Sequence, residues 1–265
     1  MTTIEMTSRS DETGPSSGLS GLALQLRGVS RRYGRRWALA NVDLDVPAGR
    51  AVMIAGHNGS GKSTLLRVIS TALRADRGSI LIEGLDARRE IEEVRRRVAL
   101  LGHYSNTYEA MSALQNLAVS ARILGAGARR EDLEPVLDRV GLEGRGDDVV
   151  TSFSAGMRKR LSFARLLLQM DDLGSSTAPR ASVVLLDEPY GQLDPQGFRF
   201  VDDLILDLKA RGTTILVATH LLDRGGWLCD EGIVLDHGRV VWSGPSAELR
   251  KESGLDPIRV PEEVN

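Results

Sequence analysis

The stretch Gly56-His57-Asn58-Gly59-Ser60-Gly61-Lys62-Ser63-Thr64 decides the fold of this 265-residue chain. It matches the phosphate-binding pattern G-x-x-x-x-G-K-[ST]. The apolar run at 51–55 predicts a buried strand before it, and apolar residues at helical spacing over 65–73 predict a helix after it. The sequence therefore supplies the strand–loop–helix context that the motif requires. A simple Gly-rich turn is the alternative, but the Gly-Lys-Ser-Thr end has no purpose in packing.

Each residue type in this loop suits the binding of phosphate groups. Glycines let the backbone approach the phosphates and point its N–H groups inward. The following helix directs its partly positive N-terminus at the same anion. Lys62 supplies a charge for the β and γ phosphates, and the Ser63 hydroxyl is a candidate ligand of Mg²⁺. We therefore expect residues 56–64 to bind a nucleotide.

The bulk composition narrows the class of protein. The chain has 34 basic and 36 acidic residues, so no basic excess points to nucleic acid, and no such partner is expected. A single cysteine, Cys229, excludes an internal disulfide and fits a reducing compartment. No stretch reaches the ~18 consecutive apolar residues of a membrane span. Residues 1–20 are polar and predict a disordered tail. We expect a cytoplasmic protein whose membrane role, if any, depends on a partner.

The order of predicted elements indicates an α/β fold with two lobes, a sheet-based core and a helical insert. The helical insert is expected from about 105 to 170, and 171–182 is expected to be an exposed loop. A helix is expected near 198–210, and a hairpin around Asp236-His237-Gly238. Strands are predicted at 22–29, 37–46, 79–82, 98–101, 183–186, 214–218, 232–235 and 238–242.

A second motif ends the apolar strand Val183-Val184-Leu185-Leu186 with two carboxylates, Asp187 and Glu188. Asp187 is expected to hold Mg²⁺, directly or through water, and Glu188 to polarise the attacking water as a general base. A surface acidic pair at a strand end is the alternative. That alternative is the weaker interpretation in a chain that also contains Lys62, because the two motifs together make a phosphoryl-transfer site.

A third motif, Ser154-Ala155-Gly156, begins a predicted helix about 30 residues before the two carboxylates. A Ser and a Gly at a helix start can form a second anion site. Taken alone, the motif is more often an ordinary helix cap. Its position relative to the other two motifs favours a functional role.

With these motifs in this order, the chain resembles the nucleotide-binding subunit of ATP-binding cassette (ABC) transporters from about 22 to 249. The resemblance implies a P-loop ABC ATPase with a RecA-like core, an antiparallel β subdomain and a helical subdomain. The cassette would span 21–250, with a C-terminal tail at 251–265. The implied reaction is hydrolysis of ATP to ADP and phosphate with Mg²⁺.

The resemblance also assigns roles to single residues. Tyr33 stands where the family stacks an aromatic ring on adenine, although packing is the commoner role of a lone Tyr. Gln192-Leu193-Asp194 matches a dimer-contacting loop, with Asp194 as its acidic residue. His220 matches the switch histidine that touches the γ-phosphate, although a lone His at a strand end is more often structural.

The sequence departs from the family pattern in the signature segment and at His103. The signature is usually Leu-Ser-Gly-Gly-Gln, and here Phe-Ser-Ala-Gly-Met keeps only the Ser and the second Gly. His103 replaces a Gln that normally ligates Mg²⁺ and senses the γ-phosphate. An imidazole can ligate a metal or orient water. The role of that Gln could therefore be kept in altered form or lost, and His103 could also simply end a strand.

The resemblance implies two kinds of partner. Only one cassette is present, and the phosphate loop of one copy faces the signature of another in this family, so a dimer is expected. Separate transmembrane subunits are expected too, with the chain peripheral on the inner face of the cell membrane. Tyr104, Tyr108 and Met111 lie where the family docks its membrane partner, although packing under the helical lobe is equally compatible.

Within the family, the chain most resembles the heme exporter ATP-binding subunit of cytochrome c maturation, the CcmA type. Gly102-His103, the helix start Leu114-Gln115-Asn116-Leu117, the varied signature and the short single-cassette length carry this resemblance. It implies that ATP hydrolysis drives heme export or release of a heme chaperone. The alternatives are the ATPase of another exporter, for a drug, lipid or polysaccharide, and a non-transport regulatory cassette. His57 and His237 are not evidence of heme binding.

Overall fold

The computed structural model describes residues 21–103, 105–170 and 181–249. The predicted tails at 1–20 and 251–265, Tyr104 and positions 171–180 of the predicted loop lie outside the described residues.

Strands and helices alternate along most of the described chain. The strands are β1 (Leu22–Tyr33), β2 (Arg36–Pro47), β3 (Ala51–Ala55), β4 (Arg77–Ile82), β5 (Leu85–Asp86), β6 (Val98–Leu101), β7 (Val183–Asp187), β8 (Thr214–Ala218), β9 (Glu231–Asp236) and β10 (Arg239–Pro245). The α-helices are α1 (Lys62–Ile69), α2 (Ile91–Arg97), α3 (Ala113–Ile123), α4 (Arg130–Arg139), α5 (Ala155–Met170), α6 (Pro195–Ala210) and α7 (Leu222–Leu228). Short 3-10 turns lie at Val150–Ser152 and Ser246–Glu248.

Within the described chain, six strands form the larger sheet in the order β10-β9-β3-β8-β7-β6. All neighbours are parallel except the antiparallel hairpin β9–β10. The strands β3, β7 and β8 are buried along their whole length. Continuous apolar runs of this kind are typical of parallel strands covered on both faces. This sheet is the RecA-like core that the sequence predicted.

The smaller sheet is antiparallel and has the order β2-β1-β4-β5 among the described residues. Leu24 and Leu26 of β1 share a buried cluster with Leu65 and Leu66 of α1. The sheet therefore covers α1, which follows the phosphate loop. Strand β1 is longer than predicted, because Gly28 takes a left-handed φ of 60° at an irregularity in the pairing, and the strand continues beyond it.

The helical lobe consists of α3, α4 and α5. A capping box starts α3: the Ser112 hydroxyl accepts from the Gln115 N–H at 3.2 Å, and the Gln115 side chain accepts from the Ser112 N–H at 2.9 Å. Buried side chains of α5 join this lobe to the core, and Phe163 meets Phe200 of α6 edge to face at 5.3 Å. The lobes therefore share one continuous apolar core. None of the helices in the described part of the chain has the length and apolar character needed to cross a bilayer.

Two helices and the short strand β5 were not predicted. Helix α2 buries only Val94, so its charged sequence shows no apolar periodicity. Helix α7 contains Gly225 and Gly226, which have low helix propensity. A Cβ at position 225 would lie 1.9 Å from the sulfur of Met53 in β3, so the missing side chain lets α7 pack closely on the sheet.

We therefore predict that Gly225→Ala destabilises the protein, because the Met53 side chain must leave its packed position. Overpacking of this kind typically costs about 1–3 kcal/mol. Urea unfolding followed by far-UV circular dichroism gives the free energy of unfolding.

Gly226→Ala is the matched control on the same helix, because the nearest atom to a Cβ there is 3.8 Å away. It should leave stability unchanged or raise it by up to about 1 kcal/mol, since Ala favours helix over Gly. Equal stabilities of the two variants would contradict the close packing of α7 on β3.

Candidate nucleotide-binding site

The carboxyl ends of the parallel strands bring most of the predicted site residues to one edge of the larger sheet. Strand β3 leads into the loop at 56–61, β7 ends at Asp187, and β8 is followed closely by His220. His103 follows β6, and Asp236 ends β9. Ligands of open parallel sheets bind at this edge. The strand order places the phosphate loop between the β9 end and the residues that follow β8 and β7.

The loop itself is shaped by three glycines that lie in the positive-φ region. The φ values of Gly56, Gly59 and Gly61 are 146°, 84° and 114°. A Cβ at Gly56 would lie 2.2 Å from the Leu235 carbonyl oxygen, and one at Gly61 would lie 2.4 Å from the Ala38 carbonyl oxygen. Side chains at 56 and 61 are therefore excluded by both backbone conformation and space.

Lys62 places its ammonium group inside the loop. Its Nζ donates to the carbonyl oxygens of Gly56 at 2.8 Å and His57 at 3.2 Å. An ammonium group has three donors, so one remains for an anion. Burial lowers the pKa of Lys62, and the charges of Glu188 and Asp187 oppose this effect. A bound phosphate, which is also negatively charged, would raise the pKa of Lys62 as those carboxylates do.

A hydrogen bond joins the loop to the end of β7. The Ser63 hydroxyl donates to the Asp187 carboxylate at 2.9 Å, and Asp187 is almost completely buried. The nearby Ser60 hydroxyl is also buried and has no hydrogen-bond partner within the described chain. A hydroxyl and a carboxylate supply oxygen ligands of the kind that Mg²⁺ prefers, so Ser63 and Asp187 fit this ion.

Glu188 and His220 form a second pair at the same edge. The Glu188 carboxylate lies 3.0 Å from Nδ1 of His220, and its backbone N–H donates to the Ala218 carbonyl at 2.8 Å. Glu188 has a φ of 47°, which is unusual for a residue with a side chain. Its carboxylate is partly exposed and oriented by a neighbouring imidazole. That geometry suits a general base acting on water.

The signature segment caps α5 and stays accessible. The Ser154 hydroxyl accepts from the Met157 N–H at 3.2 Å, and both Ser154 and Ala155 are exposed. A Cβ at Gly156 would lie 3.0 Å from the Gln192 carbonyl oxygen. The predicted helix cap is therefore observed. Among the contacts described, this segment lies against the loop at Gln192 rather than against the phosphate loop.

Asp194 is the N-cap of α6. Its carboxylate accepts from the Gly197 N–H at 2.8 Å and from the Arg160 guanidinium at 2.9 Å. The hydrogen bond from the Gly197 N–H and, to a smaller extent, the positive charge of Arg160 lower the pKa of Asp194. Arg160 lies on α5, so the signature helix and the predicted dimer-contacting loop are joined by an ion pair.

Two further predicted residues lie at the periphery. Tyr33 ends β1 with 47% of its surface exposed, and the guanidinium of Arg31 lies 5.3 Å from the centre of its ring. The Arg31 guanidinium therefore covers one face of the Tyr33 ring.

His103 follows the end of β6 and is exposed. Of the residues predicted to dock a membrane partner, Tyr108 is half exposed and its backbone is held by the Asn116 side chain. The roles of these residues stay predictions.

Lys159 was not predicted as part of the site. It lies on α5 with only 4% of its surface exposed, and its Nζ is 6.0 Å from the centre of the Phe163 ring. Burial lowers the pKa of Lys159 to about 8, against the charges of Asp187 and Glu188, which favour the charged form. The sequence could have indicated that Lys159 is buried, because it stands four residues before Phe163, on the apolar face of the helix.

Comparison with known proteins identifies the family. The sequence profile described as ABC transporter matches residues 39–191, which is more than half of the chain. The chain therefore belongs to the ABC transporter family. Cassettes of this family bind and hydrolyse ATP, so the protein is an ATPase.

Several curated relatives match nearly the whole chain. The daunorubicin resistance ATP-binding protein DrrA3 of Streptomyces coeruleorubidus is 38% identical over 91% of this chain and 74% of the relative. The daunorubicin/doxorubicin resistance ATP-binding protein DrrA of Streptomyces peucetius is 35% identical over 90% of this chain and 70% of the relative. The Nod factor export ATP-binding protein I of Burkholderia orbicola (strain AU 1054) is 31% identical over 91% and 77%.

Solved structures agree with the fold. An ATP-binding subunit of an ABC transporter superposes with a TM-score of 0.73 at 28% identity, covering 88% of this chain and 93% of that chain. A dimeric bacterial ABC transporter cassette superposes with a TM-score of 0.74 at 25% identity, covering 84% and 98%. The predicted fold class is confirmed.

The finer resemblance to heme exporters is not supported. The three curated relatives are named for drug resistance and Nod factor export, and none of the three is named for heme. The motifs behind that resemblance are a few residues long, whereas these matches extend over about nine-tenths of the chain. The alternative of another exporter fits the findings better.

The buried ammonium of Lys159 leads to a prediction about stability. Lys159→Met replaces it with an apolar side chain of similar length. We expect the variant to be more stable at pH 7 by roughly 1–3 kcal/mol, since each pKa unit of depression corresponds to about 1.4 kcal/mol. Between about pH 8 and 10.5 the unfolded chain holds a proton at this residue that the folded chain has lost. The stability difference should therefore shrink across this window.

Unfolding in urea at several pH values measures this difference. Lys209→Met is the control, because the partly buried Lys209 donates to Asp230 and to the Leu228 carbonyl, so its replacement should not stabilise the protein. If Lys159→Met were less stable at pH 7 than the parent protein, Asp187 and Glu188 would be holding the ammonium as a favourable ion pair.

Proposed function

We propose that this protein is the ATPase subunit of an ABC exporter for drug-like small molecules, and that it works as a dimer on separate transmembrane subunits. The hydrogen bond between Ser63 and Asp187 carries the ATPase part of this proposal, because it brings both phosphoryl-transfer motifs to one site. The relatives named for daunorubicin resistance support the cargo class. Heme export is not proposed.

The phosphate loop binds the nucleotide in this scheme. Backbone N–H groups of residues 56–64 and the Lys62 ammonium hold the β and γ phosphates. Ser63 and Asp187 would hold Mg²⁺, which supplies charge to the phosphate oxygens when it is bound. Tyr33 stacks on the adenine ring with the face that Arg31 does not cover. His103 follows β6, the strand next to β7, and contacts the attacking water or the γ-phosphate.

Glu188 and His220 carry the hydrolytic step. Water attacks the γ-phosphorus, the bond to the oxygen bridging the β and γ phosphates breaks, and Glu188 takes a proton from the attacking water. His220 orients the Glu188 carboxylate through the 3.0 Å contact and contacts the γ-phosphate. Placing the carboxylate before the substrate arrives lowers the entropic cost of reaction.

A second copy completes each site. The exposed Ser154 and Ala155, with Gly156, would face the phosphate loop of the other copy, and Asp194 would contact that copy at the dimer interface. The ion pair between Asp194 and Arg160 keeps the two contact segments in a fixed relation. The similar dimeric cassette supports this arrangement. We place the dimer on the inner face of the cell membrane.

Glu188→Gln tests the catalytic assignment. Gln keeps the size of the side chain but cannot accept a proton, so we expect ATP to bind while turnover falls by about 10²–10⁴-fold. The variant should accumulate as an ATP-bound dimer. Phosphate release measures turnover, and size-exclusion chromatography with light scattering measures the dimer.

Two control variants sharpen this test. Glu92→Gln removes a carboxylate from the exposed surface of α2 and should hydrolyse ATP at the parental rate. Lys62→Ala should lose ATP binding itself, which separates a binding defect from a catalytic one. Parental turnover in Glu188→Gln would remove Glu188 from the role of base.

The export assignment is tested in membranes of the native host. Glu188→Gln is expressed there, solubilised in detergent with ATP and purified, and the proteins that remain bound are identified by mass spectrometry. We expect transmembrane subunits whose reconstituted complex with the parental ATPase is stimulated by daunorubicin and not by heme. Stimulation by heme alone would replace the cargo class, and a dimer without any membrane protein would overturn the transporter assignment.

A further inference from the structure

Three side chains, one of them from the phosphate loop, form a cluster that has no part in the proposed hydrolytic step. Nε2 of His57 is 2.8 Å from Oδ1 of Asp236, and Nε2 of His237 is 3.9 Å from the same oxygen. The three candidate donor atoms all lie within 4.8 Å of one another. His57 belongs to the loop, Asp236 ends β9, and His237 lies in the turn of the β9–β10 hairpin.

The proton positions on His57 are constrained by its neighbours. Nδ1 lies 2.8 Å from the carbonyl oxygen of Asn58. Nε2 lies 2.8 Å from the Asp236 carboxylate, so each ring nitrogen faces an atom that can only accept. The neutral ring carries one N–H and therefore leaves a lone pair facing one of these two acceptors. Two acceptors 2.8 Å apart repel each other unless a cation lies between them, either a second proton on the ring or a metal ion.

We propose that His57, Asp236 and His237 form a binding site for a divalent transition-metal ion of the zinc class. Two imidazole nitrogens and one carboxylate oxygen are a typical ligand set for such ions. The hydrogen bond from Nδ1 of His57 to a backbone carbonyl is the outer-shell contact that commonly fixes a ligating histidine. His237 is 84% exposed, so its ring is free to close on the ion, and water can complete the coordination.

This site differs in chemistry from the one at Ser63 and Asp187. That site offers oxygen donors, which suit Mg²⁺, whereas the cluster offers mainly nitrogen. Mg²⁺ should therefore prefer the site at Ser63 and Asp187, and a zinc-class ion should prefer the cluster of His57, Asp236 and His237. The metal site proposed here does not depend on the export function.

The position of the cluster gives the bound metal a physical consequence. The hairpin already touches the loop, because the Gly238 N–H donates to the Ser60 carbonyl at 2.8 Å. A metal held by both segments adds a second and stronger connection. The carbonyl of His57 also accepts from Lys62, so the ion would fix a residue that positions the phosphate-binding ammonium. Metal and nucleotide affinities are then coupled, each changing the other by the same factor.

The test is titration of the untagged, nucleotide-free full chain with Zn²⁺ in excess Mg²⁺, followed by calorimetry, and with Co²⁺, followed by its visible absorption. We expect one zinc-class ion for each chain. His237→Asn should weaken binding at least tenfold, the order of loss that an outer-shell partner alone causes. At the same zinc concentration, the rise in melting temperature should be smaller for His237→Asn than for the parent protein.

Two control variants separate this cluster from the catalytic edge. His220→Asn and His103→Asn remove the other two histidines of the sequence and should keep parental zinc affinity. The proposal is overturned if zinc binds no more tightly than about 1 mM, which leaves only an ion pair between His57 and Asp236. It is also overturned if His237→Asn binds zinc as well as the parent, or if His220→Asn is the variant that loses the ion.

Discussion

The close approach of the phosphate loop to its backbone neighbours is the constraint on which the rest of the site depends. At Gly56 the loop meets the carbonyl of Leu235 in β9, and at Gly61 it meets the carbonyl of Ala38 in β2. Since these contacts leave no room for a side chain, the parallel sheet and the antiparallel sheet are held on either side of one loop. The direction of Lys62 and the start of α1 follow from this arrangement.

The sequence predicted those parts of the fold whose signal is local. Strands β3, β7 and β8 are short apolar runs that can only be buried, and β6 and β8 were predicted at their observed ends. The phosphate loop, the carboxylates after β7 and the cap at Ser154 were likewise visible, because each depends on residue types at fixed spacing. The edge of a parallel sheet then brings these separate motifs together without further information.

What the sequence did not reveal depends on partners far along the chain. Helix α7 packs closely on the sheet where Gly225 lies against Met53, and the burial of Lys159 appears only when α5 is packed against the rest of the fold. The meeting of His57 with the hairpin turn is equally non-local. The subgroup was misjudged for a related reason. A few varied motif residues say little about cargo when the motifs themselves serve only ATP.

Helix α5 has a mechanical consequence. Its 16 residues form a rod about 24 Å long that follows the exposed Ser154, and Lys159, whose charged form the charges of Asp187 and Glu188 favour, lies in its second turn. Arg160 ties the same turn to Asp194. Because Lys159 and Ser154 lie at the same end of the helix, a change of charge near the carboxylates acts on the end that presents the signature segment, and not across the length of the rod.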